Sequence, residues 1–248
     1  MTRIICIANH KGGVGKTTSV AFIGEALARK GQRVLLVDLD AQANLTGFFL
    51  KEDEVEARVY DALVRGVRLP VVKVLSDSLY LSPSSLELAR AETELAARIA
   101  RERILANLLE PVAADFDFIL LDCPPSLGII TMNAIVAATE IYVPLTAEAL
   151  PFKGLSMLEE VVEQIRETLS KGAGISGVII TRYNNRKLNK AVIEAIRTKY
   201  GARVFSTIIR ENIALAETPI CGGDLFSYAP TSNGAQDYSL LADEILNR

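Results

Sequence analysis

The sequence predicts an α/β fold: a doubly wound, mostly parallel sheet flanked by helices. Two observations predict it. Short runs rich in Val, Ile and Leu alternate with segments of helical periodicity through most of the chain, as in the strand–helix–strand units of parallel sheets. The chain has 248 residues, of which 50% are hydrophobic, so it can bury one large core. We therefore expect a single domain over residues 1–248.

The first strand and helix enclose a glycine-rich segment. Ile4 to Ala8 predicts a buried strand, a helix is predicted from Thr17 to Lys30, and KGGVGKTT lies at positions 11–18. This order suits phosphate binding, because glycine allows the backbone N–H groups to turn inward toward an anion and the helix N-terminus adds partial positive charge. The pattern predicts that Lys16 reaches the β- and γ-phosphates and that Thr17 ligates Mg²⁺. The predicted nucleotide-binding residues of this loop are Gly12, Gly13, Val14, Gly15, Lys16, Thr17 and Thr18.

Acidic residues follow two further buried strands. Val34 to Val37 leads into Asp38 and Asp40, and Phe118 to Leu121 leads into Asp122. Ligands of α/β sheets bind at the carboxyl ends of the strands, so these carboxylates are candidates for metal and water positioning. Asp38 and Asp40 would face the same side of the strand if it stays extended. A buried strand that ends in Asp122 after a phosphate loop predicts an Mg²⁺ site.

The later segments continue the alternation. They predict helices over 59–64, 86–109, 133–139, 152–169, 189–200 and 235–246, and strands over 79–83, 140–145, 177–183 and 204–209. Arg182 lies at the end of one of these strands and Asn212 follows another, so both should rim the nucleotide cleft.

Composition excludes several classes. The net charge is −3, so any nucleic-acid surface has to be a local patch. Cys6, Cys123 and Cys221 form no CxxC or metal-ligand spacing, and the first two lie in apolar runs, which suits a reducing cytosol. The sequence contains neither a signal-peptide segment nor an apolar run of about 18 residues. We expect a cytoplasmic protein.

The motifs together resemble those of the ParA/MinD family of P-loop ATPases, and of its Soj-like partition ATPases in particular. The glycine loop has Lys11 at its head and His10 where the common pattern has its first glycine, which resembles the family's deviant Walker A motif. The D-x-D and D-x-P-P segments match further family motifs in the same order, so the resemblance covers nearly the whole chain. Ala41 and Ala43 stand where the family often has Pro and Gly, which could soften this segment.

The resemblance implies residue roles. Lys11 would contact the nucleotide bound by the partner subunit, and Asp40 would orient the attacking water. Asp38 and Asp122 would lie near Mg²⁺, with Thr17 as a ligand, and segments at Arg182 and Asn212 would enclose the adenine. Lys11, Lys16 and Asp40 are therefore the candidate catalytic residues of an Mg²⁺-dependent ATPase.

A basic segment bears on the partners. Seven basic residues and one acidic residue lie between Arg182 and Arg203, a local charge of +6 that suits phosphate contacts. A solvated helix face is the alternative reading. The resemblance favours nonspecific DNA binding by an ATP-bound homodimer on the nucleoid, with a ParB-type centromere-binding partner and no membrane. The candidate DNA-binding residues are Arg186, Lys187, Lys190, Arg197 and Lys199.

Two other functions stay open. A MinD-like membrane-associated positioning ATPase would need a basic amphipathic C-terminal helix, whereas the tail from Tyr238 to Arg248 is acidic and short. A metabolic P-loop enzyme or an iron–sulfur reductase is the other class, and Cys123 lacks a companion at a cluster spacing. The glycine loop begins at Lys11, so we expect neither an N-terminal helix-turn-helix domain nor operator recognition.

Overall fold

The computed structural model describes residues 1–147, 152–169 and 173–248. In this part of the chain a sheet has the strand order β3-β4-β2-β5-β1-β6-β7-β8. Neighbouring strands are parallel except β3 and β4, which are antiparallel. The strands are β1 (Arg3–Ile7), β2 (Val34–Asp38), β3 (Val72–Lys73), β4 (Leu79–Ser82), β5 (Phe118–Asp122), β6 (Glu140–Thr146), β7 (Ile175–Tyr183) and β8 (Val204–Arg210).

Helices connect the strands and cover both faces of the sheet, which confirms the predicted fold class. They are α1 (Lys16–Arg29), α2 (Asn44–Phe49), α3 (Val59–Arg65), α4 (Leu88–Ala96), α5 (Ile104–Ala113), α6 (Ile129–Ala137), α7 (Phe152–Leu169), α8 (Lys187–Tyr200), α9 (Ala214–Glu217), α10 (Leu225–Tyr228) and α11 (Asn233–Leu246). The sequence had not predicted α2, β3, α9 or α10.

Two apolar layers form the core, one on each face of the sheet. Alternation along β1 sends Ile5 and Ile7 into one layer and Cys6 into the other. Helices α1 and α11 pack in the first layer, and α4 to α8 pack in the second. The central strands are buried on both faces, which explains why they read as continuous apolar runs rather than as alternating patterns.

The predicted single helix over 86–109 is wrong. The chain forms α4 and α5 instead, and Ala100 between them has a left-handed φ of 52°. Hydrogen bonds to other parts of the chain hold the two helices on either side of this break. The Arg98 guanidinium donates to the carbonyl of Val64, and the Leu105 N–H donates to Asn133 Oδ1 at 3.0 Å. The apolar periodicity runs on across this break, so it could not reveal it.

The strand order decides where a ligand can bind. β1 lies between β5 and β6, and β2 lies on the other side of β5. The carboxyl ends of these parallel strands therefore meet at one edge of the sheet, together with those of β7 and β8. The glycine loop and the acidic residues predicted from sequence all follow strands at this edge.

Candidate active site

The glycine loop leaves β1 in a fixed direction. Asn9, which is buried, donates from Nδ2 to the Pro144 carbonyl at 2.7 Å and accepts from the Lys11 N–H at Oδ1 at 2.9 Å. Gly13 and Gly15 have φ values of 71° and 84°. Residues with a side chain rarely adopt such values, which favours glycine at both positions. The loop is thus set by its own sequence and by one buried asparagine.

A cavity of about 790 Å³ opens beside this loop, a size within the roughly 300–1,000 Å³ of small-molecule and cofactor sites. Its walls come from the loop, from the segment after β2 and from the ends of β7 and β8. Most residues that the sequence predicted for the site lie in these walls. They are Gly12, Gly13, Gly15, Lys16, Thr17, Thr18, Asp40, Arg182 and Asn212.

The other predicted site residues lie around the cavity. Val14 is buried behind the loop, and Lys11 is exposed at its head. Asp38 and Asp122 are fully buried and do not line the cavity. The roles of all these residues in catalysis and binding stay predictions.

Lys16 is a desolvated cation. Its side chain is buried at the start of α1, and Nζ donates to the Lys11 carbonyl at 3.2 Å. Burial lowers the pKa of Lys16, whereas the charge of Asp122 raises it. A poorly hydrated ammonium at the floor of a cavity attracts an anion more strongly than one in water, because little solvent screens its charge.

Asp122 is a buried carboxylate without a full hydrogen-bond partner. β2 and β5 are adjacent, and their register sets Asp38 opposite Asp122. Burial raises the pKa of Asp122 well above its usual range, the charge of Asp38 raises it further, and the Thr17 hydroxyl and the Lys16 charge lower it. Among the described residues, none makes a hydrogen bond of ordinary geometry to either carboxylate oxygen of Asp122.

Such an arrangement fits a divalent cation. Two neighbouring buried carboxylates are costly unless positive charge or hydrogen bonds compensate them. Asp122 and the nearby Thr17 hydroxyl are oxygen donors of the kind that Mg²⁺ prefers. The burial of Asp122 and the oxygen donors of Asp122 and Thr17 are therefore compatible with a bound Mg²⁺ ion.

Asp38 has a different environment. Its Oδ1 accepts from the Asp40 N–H at 3.1 Å, and its Oδ2 accepts from the N–H and the hydroxyl of Thr46 at 2.8 and 2.7 Å. Burial raises the pKa of Asp38, and the hydrogen bonds from Thr46 lower it. The structure therefore gives Asp38 a role in holding the following loop, and its role near the metal stays a prediction.

Asp38 and Asp40 do not share one environment. β2 ends at Asp38, so the extended geometry needed for both side chains to face the same way stops there. Asp40 is half-buried, lines the cavity and accepts from the Gln42 N–H at 2.9 Å. The end of β2 at Asp38 thus separates a buried carboxylate from one that reaches the cavity.

The far end of the cavity is built from more exposed side chains. Arg182 has a φ of 53°, and its guanidinium lies 3.9 Å from Glu211, with about half of each side chain exposed. Asn212 Oδ1 accepts from the Ala214 N–H at 2.9 Å, which orients the amide at the start of α9. Arg210 is held by a bidentate ion pair with Asp237 of α11, with a shortest distance of 2.6 Å.

Sequence reasoning missed several residues of this site. Asn9 holds the loop, and Thr181 donates to the Val14 carbonyl at 2.9 Å. Gln42 and Asn44 line the cavity. Asn9 carried a usable signal, since it is a buried polar residue between an apolar strand and a glycine loop, whereas the contact of Thr181 arises only from the fold.

Most of the basic segment forms α8, with Arg186 immediately before the helix. All five candidate DNA-binding residues are exposed. Lys190 and Arg197 are two helical turns apart and share a face with Glu194, which lies 3.8 Å from Arg197. Lys199 lies on another face, where its Nζ is 3.2 Å from Glu159 of α7. The structure thus separates Lys199 from the other candidates.

Two cysteines that are distant in sequence are neighbours in the fold. Cys6 Sγ and Cys123 Sγ are 3.4 Å apart because β1 and β5 are adjacent, and both side chains are buried as predicted. The sequence did not predict this proximity, but a single pair of buried thiols does not provide the ligand set of an iron–sulfur cluster. Cys221 is exposed elsewhere, and no group of three or more candidate metal ligands occurs among the described residues.

Comparison with known proteins agrees with these motifs. A family model described as an AAA domain, AAA_31, matches residues 2–175. The sporulation initiation inhibitor protein Soj of Bacillus subtilis is 39% identical over 99% of this chain and 98% of its own length. The chromosome partitioning protein ParA of Myxococcus xanthus is 35% identical, over 99% and 88%.

The chain belongs to the ParA/MinD family of P-loop ATPases. Solved structures agree: cobyrinic acid a,c-diamide synthase of Mycobacterium smegmatis, with bound ADP and magnesium, has a TM-score of 0.85 at 32% identity over 99% of this chain and 94% of its own. The septum site-determining protein MinD of Pyrococcus horikoshii, complexed with Mg-ADP, has a TM-score of 0.80 at 27% identity over 99% and 96%. The predicted family is thereby confirmed.

The last described helix bears on the MinD-like alternative. Most apolar side chains of α11, including Tyr238, Leu241 and Ile245, are buried in the core, whereas Leu240 is exposed. None of the helices in residues 1–147, 152–169 and 173–248 is both long and apolar enough to span a membrane. An apolar face that is already packed is not available for insertion into a lipid surface.

Proposed function

We propose that this family member is a partition ATPase, which hydrolyses ATP with Mg²⁺ and uses the nucleotide to control dimerisation and DNA binding. The observation that carries the proposal is the buried Asp122 carboxylate without a full hydrogen-bond partner, beside Lys16 and Thr17 at the floor of the cavity. The names of the Soj and ParA relatives favour chromosome or plasmid partitioning over the other functions found in the family.

Each residue at the phosphate end of the cavity, the part beside the glycine loop, has a distinct task. Lys16 and the backbone N–H groups of the loop bind the phosphates, and Lys16 stabilises the charge that develops during transfer. Thr17 and Asp122 would hold Mg²⁺, which when bound neutralises phosphate charge. Asp40 would orient the attacking water, since its half-buried carboxylate lines the cavity. The cofactor prediction of ATP and Mg²⁺ is supported by relatives that were crystallised with ADP and magnesium.

The exposed Lys11 would complete the site of a second subunit. In the proposed dimer each Lys11 contacts the nucleotide of the other subunit, so the γ-phosphate acts as a dimerisation switch. At the other end of the cavity, Arg182 and Asn212 would enclose the base.

Nonspecific DNA would bind to the basic segment of the dimer. Arg186, Lys187, Lys190 and Arg197 are exposed at or near one side of α8, and two such patches would act together in a dimer. We include Lys199 among the predicted contacts, although its ion pair with Glu159 makes it the weakest candidate. A centromere-binding partner of ParB type would stimulate hydrolysis and so release the dimer from the nucleoid.

Binding to random-sequence duplex DNA tests this function. Binding would be measured at low and moderate salt with ATP, with ADP and without nucleotide, for the wild type and for Lys11→Ala and Lys16→Ala. We expect binding with ATP alone, its loss in both variants, and a strong decrease with salt because basic side chains displace counterions from DNA.

The controls separate the alternatives. Lys190→Ala should weaken DNA binding more than Lys199→Ala does, and neither should change ATP hydrolysis. DNA binding that ignores the nucleotide would contradict the switch. Absence of DNA binding in every state would contradict the partition function, and binding to anionic liposomes would then favour the MinD-like alternative. A footprint at one defined DNA site would contradict the expectation of nonspecific binding.

A further inference from the structure

A chain of buried hydrogen bonds ties the segment after β4 to the loop that carries Asp40. The Ser84 hydroxyl donates to the Asp40 carbonyl at 2.8 Å, and the Ser84 N–H donates to Thr46 Oγ1 at 2.9 Å. Thr46 in turn donates its hydroxyl to Asp38 Oδ2 at 2.7 Å. The side chains of Thr46 and Ser84 are 7% and 2% exposed, so water does not compete for these bonds.

These bonds fix the main chain on both sides of Asp40. Its N–H donates to Asp38 Oδ1 at 3.1 Å, and its carbonyl accepts from Ser84 as well as from the Ala43 N–H at 3.0 Å. Asp38 therefore holds the loop at both ends, at Asp40 and at Thr46, while Ser84 holds it from the segment after β4. The Asp40 carboxylate thus projects into the cavity from a backbone with little freedom.

Neither Thr46 nor Ser84 lines the cavity. A residue that only binds ATP would be expected in the walls, and a residue that only stabilises the fold would not need two bonds to the same functional loop. Ser84 bonds to this loop through both its hydroxyl and its N–H, at opposite ends of the segment from Asp40 to Thr46.

We propose that Ser84 and Thr46 are positioning residues for ATP hydrolysis, which hold Asp40 where its carboxylate can act on the attacking water. The proposal rests on the proposed ATPase function and on the role that it gives to Asp40. It predicts a selective loss in the chemical step, because displacement of a catalytic group by about 1 Å can cost on the order of 100-fold in rate.

Ser82 offers a matched control in the same segment. It is 0% exposed, yet its hydroxyl has no hydrogen-bond partner among the residues that the structure describes. Ser82→Ala and Ser84→Ala thus remove the same atom from equally buried positions two residues apart. They differ in whether a bond to the Asp40 carbonyl is lost.

Two quantities would be measured for the full chain: steady-state ATP hydrolysis, and the rate of amide hydrogen exchange in the nucleotide-free protein. We expect Ser84→Ala to lower kcat about tenfold with KM within about twofold, since the lost bond supports the chemical step and not binding. The amides of Asp40 and Ala43 should exchange about fivefold faster. Ser82→Ala should change neither quantity.

Thr46 provides a second, independent comparison. Thr46→Val keeps the shape and loses the hydroxyl, so it should lower kcat and speed exchange in the same loop. Thr46→Ser keeps the hydroxyl and should retain most of the wild-type kcat. A pair of variants that behave alike would contradict a role for the hydroxyl.

Unchanged kcat in Ser84→Ala, or an equal loss in Ser82→Ala, would overturn the proposal. A wild-type chain that hydrolyses no ATP would contradict the proposed function instead, and the exchange comparison would still decide whether Ser84 anchors the loop. Exchange that is unchanged in both Ser84→Ala and Thr46→Val would overturn the anchoring itself.

Discussion

The two ends of the cavity are built in different ways. At the phosphate end the glycine loop supplies backbone N–H groups, and Lys16 and Asp122 are buried beneath it. At the base end the walls include Arg182 and Glu211, whose side chains are about half exposed and 3.9 Å apart. Buried charged groups interact strongly because little water screens them, whereas exposed ion pairs contribute little.

The two ends thus differ in whether their charged side chains are buried. The phosphate end holds charged groups out of water at a cost that a bound cation and phosphate would offset. The base end relies on distant supports, such as the ion pair of Arg210 with Asp237 on α11. We therefore expect substitutions at the phosphate end to have large effects on activity and substitutions at the base end to have graded ones.

The largest effect is expected from Lys16→Ala. The substitution removes the buried cation beside Asp122, so phosphate charge loses a desolvated partner, and hydrolysis should fall about 1000-fold or more. Phosphate release at saturating ATP measures this. Lys73→Ala is the control, because Lys73 pairs with Asp77 at the exposed edge strand. Retention of activity within a few-fold in Lys16→Ala would break the contrast between the two ends.

The next effect concerns a buried carboxyl group outside the cavity. Glu25 of α1 accepts from the Leu225 N–H, at the start of α10, at 3.2 Å. Burial raises the pKa of Glu25 to about 8, and a hydrogen bond to Asp224 that favours the neutral form raises it as well.

Because the folded-state pKa of Glu25 lies above its unfolded value, its contribution to stability is complete below the unfolded pKa and is lost as pH rises toward about 8. The wild type should lose about 3 kcal/mol relative to Glu25→Gln between pH 6 and pH 9. Denaturant unfolding at both pH values measures the difference. Glu163→Gln, at an exposed position, should follow the wild type. If the difference in the free energy of unfolding between the wild type and Glu25→Gln does not change with pH, a raised pKa of Glu25 in the folded protein is contradicted.

Smaller effects are expected at the base contacts. Arg182→Ala and Asn212→Ala should each weaken ATP binding about three- to tenfold, because each removes a partly exposed polar contact. Direct titration of ATP gives the affinity. Arg186→Ala is the matched control, since Arg186 is exposed nearby and does not line the cavity. A loss as large as that of Lys16→Ala would erase the distinction between the ends.

The smallest effect is expected at Ala43, where the family often has glycine. Ala43 has a φ of 51° at the start of α2, a conformation that costs an alanine about 1–2 kcal/mol. Ala43→Gly should stabilise the fold by about 0.5–1 kcal/mol after the greater entropy of the unfolded glycine chain is subtracted. Thermal unfolding measures it. Ala41→Gly should destabilise instead, because Ala41 does not have a positive φ.

The residues of the phosphate end could be predicted from the sequence because each belongs to a short, continuous motif. Lys16 lies within one glycine loop, and Asp122 ends one buried strand, so spacing and periodicity reveal both. The parallel sheet was predictable for the same reason, since each buried strand is a continuous apolar run.

The parts that could not be predicted depend on contacts between distant segments. Ser84 reaches Asp40 across 44 positions, and Thr181 reaches Val14 across 167. The break between α4 and α5 depends on Asn133, which caps Leu105 from another helix. No local pattern encodes these bonds, because each exists only after the sheet has formed.

The most direct test is a competition experiment with a fluorescent ATP analogue in the presence of Mg²⁺. Inorganic tripolyphosphate should displace the analogue from the wild-type chain, whereas adenosine should not at comparable concentration, because the buried phosphate end supplies most of the binding. Displacement by adenosine together with no displacement by tripolyphosphate would contradict this assignment of the two ends.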